Sequence, residues 1–216
     1  MKKWNGKIGR VFTIAAVAGS LLTGGTFAYL TDYDQTVNQF TVGKVTIDLE
    51  EPNWKPEENT KIVPTQVIKK DPRIKNSGLN DAYVYLEVSV PMAEVIVADS
   101  SGNRTEKKNQ ELLSYKKNSG WTQMDTRTVG NTRVYTYVYN KILAPKQTTS
   151  TLFDTVTFAN VIEGQLDTNV LEMPVRAYAI QTENTGGSET EIVKKATVAY
   201  EKYVNQNQGQ DGKVTR

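Results

Sequence analysis

The sequence contains no cysteine and no histidine. Without cysteine the fold has no disulfide bonds, so its stability must come from a packed core rather than from the cross-links common in small exported domains. Without histidine, Ser/His/Asp and Cys/His catalysis are excluded, and the commonest general base and zinc ligand are missing. The composition therefore favours a structural or binding protein over an enzyme. We predict no catalytic, cofactor-binding or metal-binding residues.

Acidic residues are absent from the first 28 positions, which have the order of a secretory signal. Basic residues come first, an apolar stretch from Val11 to Leu22 follows, and small residues come next. We predict cleavage after Ala28, which makes Tyr29 the mature N-terminus. The alternative is a retained membrane anchor, because no charge occurs between Val11 and Thr31. Only about a dozen of these residues are densely apolar, however, which is typical of a signal.

The net charge of the chain changes sign when residues 1–28 are removed. The leader holds four of the 26 basic residues and none of the 24 acidic ones, so the formal charge falls from +2 to −2. The basic character therefore belongs to the leader, and we predict no nucleic-acid partner. The remaining 188 residues suffice for one domain with a real core.

Alternating apolar and polar residues dominate the mature chain. In residues 82–90, alanine, valine and leucine occupy every second position, which predicts a strand buried on one face. Pro91 either ends this strand or places it at an edge. Similar β patterns occur at 40–49, 132–139, 151–162 and 170–182. Turn-forming residues separate these runs, so we predict a mostly β protein with an antiparallel β-sandwich.

One helix is expected near the C-terminus. Ser188 and Glu191 fit a capping box, and apolar residues recur at helical spacing from Ile192 to Tyr203. The remaining residues are too polar to pack. We therefore divide the chain into a signal peptide at 1–28, a β-sandwich domain at 29–204 and a disordered polar tail at 205–216.

Several polar or aromatic groups have two possible interpretations. The stretch 101–118 is either a solvated connection, which we favour, or a partner-binding loop. Asp99–Asn103 fits a plain turn better than a calcium loop. Nothing in the sequence spacing places any two of the residues Glu87, Glu163 and Glu172 at one shared site. The tyrosines of residues 83–85 and 135–139 could form an exposed ladder suited to assembly.

Two segments together resemble a known family. Residues 23–32 read Thr-Gly-Gly-Thr-Phe-Ala-Tyr-Leu-Thr-Asp and precede the strand at 40–49, and residues 71–86 contain Asn-Ser-Gly followed by an Ala/Tyr/Val-rich strand. These features resemble the TasA/camelysin family of Gram-positive bacteria. The resemblance implies a jelly-roll-like β-sandwich with one short C-terminal helix. It also implies cleavage by a SipW-type signal peptidase and secretion to the cell surface or biofilm matrix.

The resemblance further implies fibre assembly by donor-strand exchange, with the chain itself or a related fibre subunit as partner. The segment freed by cleavage is the predicted donor strand, represented by Tyr29, Leu30, Tyr33, Val37 and Phe40. Alternatively, this segment folds back into its own sheet or stays loose. Membrane contact is expected only through the uncleaved leader. Two other functions stay open: a camelysin-like surface metallopeptidase, and an accessory fibre subunit or adhesin that does not polymerise alone.

Overall fold

The structure, a computed structural model, describes residues 31–34, 45–55, 62–166 and 171–206. Within these ranges the chain is mostly β, with antiparallel sheets curled into a half-barrel and one short helix near the C-terminus. The predicted fold class, mostly β with a C-terminal helix, is confirmed. A jelly-roll strand order stays a prediction.

The largest sheet has the strand order β1-β11-β5-β9-β8. Its members are β1 (Thr31–Asp34), β5 (Ala82–Val95), β8 (Trp121–Val129), β9 (Thr132–Tyr139) and β11 (Val175–Gln181). A sixth strand, β6 (Lys108–Glu111), pairs with the last residues of β5. Since β5 pairs with β9 on one side and β11 on the other, it is the central strand of this sheet.

Two smaller sheets complete the half-barrel. One has the order β3-β10-β7, formed by β3 (Val67–Lys69), β7 (Leu113–Tyr115) and β10 (Thr155–Phe158). The other pairs β2 (Ile47–Glu50) with β4 (Arg73–Asn76). Apolar side chains from these sheets and from β5 form the main core, which includes Ile74, Leu86, Trp121, Phe153 and Val156.

Strand β5 departs from its sequence prediction in two ways. Its second face is buried as well, because Tyr83 and Tyr85 pack against the C-terminal helix. The strand also continues through Pro91 to Val95. Pro91 lies opposite Thr132 at the end of β9, where β5 changes partner from β9 to β6. A proline is tolerated there because it lacks an N–H at the point where β5 stops pairing with β9 and begins to pair with β6.

Helix α1 (Ile192–Gln206) covers the outer face of the large sheet through Ala196 and Ala199. It begins later than the predicted cap at Ser188, so that start was wrong. The residues before the helix instead join it to β11: the Thr185 hydroxyl donates to the Gln181 carbonyl, at 2.6 Å. The helix includes the first two residues of the predicted tail, and residues 207–216 lie outside the described ranges.

The polar stretch 101–118 is not a plain connection, because it contains β6 and β7. Its charges are solvated or paired locally, as between Lys107 and Glu94 at 3.8 Å. The preceding turn is built around Asp99, whose carboxylate accepts hydrogen bonds from the backbone N–H groups of Ser101 and Asn103. Among the described residues, no helix is both long and apolar enough to cross a membrane.

Candidate assembly surfaces

Strand β1 forms the outer edge of the large sheet. It pairs antiparallel with β11, and its register runs from Thr31 opposite Ile180 to Asp34 opposite Ala177. Tyr33 of the predicted donor strand lies in this ladder, opposite Tyr178. The cleavage site at Ala28 and Tyr29, and the donor residues Leu30, Val37 and Phe40, lie outside the described residues. The structure therefore places the middle of the predicted donor segment against its own sheet.

Strand β11 supplies the edge on which β1 lies. Ala177, Ala179 and Ile180 of β11 are buried, and the other side of the strand pairs with β5 over all seven of its residues. β11 is thus firmly held on one side. Its second side is covered, among the described strands, by a ladder of only four residues. Without β1, the N–H and C=O groups along that side would be free to pair with another strand.

A large apolar cleft opens at the other end of β5. It has a volume of about 1400 Å³ and lies between the β3-β10-β7 sheet, residues Pro91–Ala93 of β5, and residues 161–166 and 171–174. Its apolar lining includes Ile68, Met92, Leu113, Val156, Phe158 and Met173. Sequence reasoning did not find this cleft. One available signal was proline, because Pro64, Pro91 and Pro174 all line it.

Charged side chains also line the cleft. Lys70 lines it and is buried, with its Nζ 2.8 Å from Glu51 Oε1 and 4.8 Å from the centre of the Trp54 ring. Glu163 and Glu172 also line the cleft and are exposed. Two glutamates that their sequence positions left unrelated thus line the same cleft. The third, Glu87, lies elsewhere.

Glu87 is the centre of an ionic cluster on the helix side of the large sheet. Its side chain is 4 % exposed and contacts two arginines: Arg127 of β8, and Arg176 of β11 at 3.4 Å. Arg176 and Thr136 lie opposite Glu87 on the two neighbouring strands. The cluster therefore links four strands across the sheet and stabilises their packing. Glu87 does not form an acid/base pair with Glu163 or Glu172.

The two tyrosine rows do not form one exposed ladder, so that prediction was wrong. Tyr83 and Tyr85 are covered by α1, whereas Tyr137 is buried in the main core. The Tyr115 and Tyr137 hydroxyls are 2.8 Å apart. Burial, together with a hydrogen bond to Glu111, raises the pKa of Tyr135 to about 12. These rings therefore stabilise the fold and offer no outer aromatic surface.

The described residues do not suit a zinc site. The whole sequence has no histidine or cysteine, and zinc in proteins is bound mostly by those residues. In the described ranges, no group of three or more carboxylates could hold a metal ion. The donor set therefore does not fit a metallopeptidase centre, and we derive no metal-dependent step.

Comparison with known proteins gives one match. The family model described as camelysin metallo-endopeptidase matches residues 3–167, about three quarters of the chain. No curated protein and no solved structure shows significant similarity to the chain. The matched region ends before β11 and α1.

Proposed function

The chain belongs to the camelysin metallo-endopeptidase family of cell-surface proteins, and from this premise we propose that it is a secreted structural protein that assembles into fibres by donor-strand exchange. The observation that carries the proposal is the position of β1. This short edge strand pairs with β11 through main-chain groups, and it directly follows the predicted cleavage site. A strand in that position can pair with β11 of another molecule through the same contacts.

Exchange of β1 requires no new interface. An exchanged Thr31–Asp34 strand would keep on a neighbour's β11 the register that it has on its own β11. Such swapping is a low-cost route to assembly because the contacts of the closed monomer are reused. In the described residues, the β1 ladder spans four residues, compared with the seven-residue ladder that holds β11 to β5. Opening it therefore costs much less than unfolding the sheet.

The geometry of exchange favours a filament over a closed dimer. Each molecule would donate its β1 to a neighbour and accept the β1 of another neighbour on its own β11. When these two neighbours are different molecules, the contact is head-to-tail. Heterologous contacts of this kind propagate. Strand addition at a sheet edge also gains main-chain hydrogen bonds that depend little on sequence. A related subunit with a similar N-terminal strand could therefore enter the same fibre.

The proposed route begins at the membrane. A SipW-type signal peptidase cleaves after Ala28, and Tyr29 becomes the end of a free donor segment that reaches to Phe40. Before cleavage the leader holds this segment at the membrane, which is the only membrane contact in the proposal. The product acts in the extracellular matrix or at the cell surface, without a cofactor, a nucleic-acid partner or catalysis.

A cysteine pair tests the exchange, because the natural chain has no cysteine to interfere. In the Asp32→Cys/Ala179→Cys variant of the mature protein, the two cysteines occupy directly opposed positions of the β1–β11 ladder. We expect fibres by electron microscopy and, after mild oxidation, a ladder of covalent multimers on a non-reducing gel. The matched controls are the two single-cysteine variants and a protein that starts at Gln35, which we expect to stay monomeric.

Other results of the same experiment would contradict the proposal. Fibres whose cysteines link only within one molecule would show that assembly does not use β1. A protein that stays monomeric at high concentration would remove self-assembly. Such a monomer would favour the accessory-subunit function if it bound fibres made by a related protein.

The description of the family favours a second candidate, a surface metallo-endopeptidase. The residues of this chain fit that activity poorly, since the described part offers no suitable metal ligands. The check is casein cleavage that is lost with a chelator, together with bound zinc measured by elemental analysis. Cleavage and stoichiometric zinc together would replace the structural function with an enzymatic one.

A further inference from the structure

We propose that a bulge at Met124, held beneath α1, closes the β8 edge of the large sheet to strands from a second copy of this chain. β8 is the edge strand at the opposite end of the sheet from β1, since among the described strands it pairs only with β9. An edge of nine residues is ordinarily a template for pairing with another chain. The inference concerns this edge alone and stands whether or not β1 is exchanged.

The bulge consists of one extra residue in β8. Gln123 lies opposite Tyr137 of β9. The adjacent residue of β9, Thr136, lies opposite Asp125. Met124 therefore has no partner in the ladder, and an extra residue of this kind reverses the faces of the strand beyond it.

The side chains of β8 show this reversal. Trp121 is buried in the main core, whereas Arg127 contacts Glu87 on the helix side of the sheet. Two residues six positions apart would share a face in a regular strand. Their opposite faces are the result that one inserted residue requires, so the bulge is also what brings Arg127 to Glu87.

The bulge puts the open backbone groups of β8 out of step. The Asn140 N–H donates to the Gly120 carbonyl at 2.9 Å, so this carbonyl points at β9. The backbone groups of successive residues in an antiparallel ladder point alternately toward and away from the partner strand. From the register, the residues whose groups point away from β9 are Trp121, Gln123, Thr126 and Thr128. A regular edge presents such a residue at every second position, but the interval across the bulge is three, so a straight strand cannot pair along the whole edge.

Side chains hold the bulge in place. Met124 packs against the cluster of buried side chains between the large sheet and α1, which includes Tyr85 and Ala196. Gln123 Nε2 donates to the Thr126 hydroxyl at 2.6 Å across the bulge. These contacts oppose the straightening that another strand would need.

Lys117 covers the first open carbonyl of this edge. Its ammonium donates a hydrogen bond to the Trp121 carbonyl, which points away from β9. A strand that paired here would have to displace a charged donor, and charge-assisted hydrogen bonds are roughly twice as strong as neutral ones. Backbone and side chains therefore oppose pairing at the same edge.

Deletion of the extra residue tests the proposal. Without Met124, Gln123 and Asp125 would be adjacent, and the ladder with β9 would be regular along its whole length. Arg127 would stay on the side of Glu87, because the register beyond the bulge is unchanged. The matched control is Met124→Ala, which removes the side chain that packs beneath α1 and keeps the extra residue.

Hydrogen exchange of the mature protein over a concentration series measures pairing at the edge. In the Met124 deletion variant, we expect the Thr126 and Thr128 amides to become protected as the concentration rises. Half-maximal protection should need a concentration at least about tenfold lower than in the Met124→Ala protein, since a regular edge gains several main-chain hydrogen bonds from a second copy. Exchange of β1 does not pair these amides, so the readout is independent of assembly through β11.

A second deletion guards against loss of the Met124 contact. Deleting Asp125 instead also removes the extra residue, and Met124 would then lie opposite Thr136 on the helix side. Circular dichroism verifies that each variant is folded. A folded deletion variant without protection at the two threonines, or equal protection in the Met124→Ala protein, would overturn the proposal. Unfolding of both deletion variants would overturn it too, because the bulge would then serve folding and not the edge.

Discussion

Glu87 shows how one residue can hold several strands. It is a nearly buried carboxylate that contacts two arginines from strands on opposite sides of β5. We expect Glu87→Gln to lower the free energy of unfolding by about 1–3 kcal/mol, because Arg176 loses its counter-charge and Arg127 keeps only the exposed Asp125, at 3.4 Å. Because both arginines are partly exposed, the decrease in the free energy of unfolding should be smaller than for a fully buried ion pair. Urea denaturation followed by circular dichroism measures this decrease.

The matched control for Glu87 is Glu94→Gln. Glu94 is exposed and lies 3.8 Å from the exposed Lys107, so its loss should change stability by no more than about 0.5 kcal/mol. Equal effects of the two substitutions would contradict a structural role for the Glu87 cluster.

Buried tyrosines predict a loss of stability at high pH. Burial, reinforced by the hydrogen bond to Glu111, raises the pKa of Tyr135 to about 12, and burial also raises the pKa of Tyr85, Tyr115 and Tyr200. In the unfolded chain these groups ionise near pKa 10.0. The unfolded state therefore releases these protons at a lower pH than the folded state does. The stability contributed by the neutral, buried tyrosines is complete below pH 10 and is lost as the pH rises through about 12.

A spectroscopic titration checks the tyrosine prediction. Absorbance of tyrosinate should rise in two steps, with the second step coinciding with loss of the far-ultraviolet circular dichroism signal. Ionisation of all eleven tyrosines near pH 10 with the β signal intact would show that the rings are not buried as described.

At the scale of elements, the Tyr85 hydroxyl helps to hold α1 on the sheet, together with a side-chain hydrogen bond between Tyr200 of α1 and Thr136 of β9. Tyr85 of β5 donates a hydrogen bond to the Ala196 carbonyl at 2.7 Å. We expect Tyr85→Phe to speed hydrogen exchange of the α1 amides and to cost about 1 kcal/mol. The control is Tyr83→Phe on the same face, since the Tyr83 hydroxyl makes no hydrogen bond to another described residue. If both variants change α1 equally, the hydroxyl is not what holds the helix.

Sequence patterns predicted elements where one physical signal dominates. Strict alternation located β5, and the β pattern predicted at 40–49 overlaps β2, where Ile47 is buried. β8 was missed because its sequence, Trp-Thr-Gln-Met-Asp-Thr-Arg-Thr-Val, is mostly polar. It is an edge strand with an irregular register between Gln123 and Asp125. Edges are kept polar and irregular to prevent aggregation, so they lack the hydrophobic signal.

The candidate sites were harder to predict than the strands. Residues of the cleft come from five separate parts of the chain, between Trp54 and Pro174, and no local pattern relates them. The burial of Tyr85 likewise depends on α1, more than 100 residues later. Local periodicity reports which face of a strand is apolar, but it does not report what covers the other face.

At the scale of the whole molecule, the two candidate surfaces lie at different ends of β5. Thr31 begins β1 beside Ile180, near the Ala82 end of β5, whereas the cleft includes Pro91–Ala93. At about 3.3 Å per residue, these ends are roughly 30 Å apart. The β1 edge and the cleft are therefore well separated on the large sheet.

The connection between β1 and β2 should decide between monomer and polymer. In the closed monomer β1 pairs with its own β11 while β2 lies beside both strands, and residues 35–46 of the sequence join β1 to β2. Deleting Thr41–Lys44 should hinder this closure and leave exchange with a neighbour possible, since a short hinge favours swapping. Inserting four Gly/Ser residues after Phe40 should favour the closed monomer. Light scattering after size exclusion, over a concentration series, should show larger assemblies for the deletion and smaller ones for the insertion, with circular dichroism to verify folding. A folded deletion variant that stays monomeric would contradict exchange through β1.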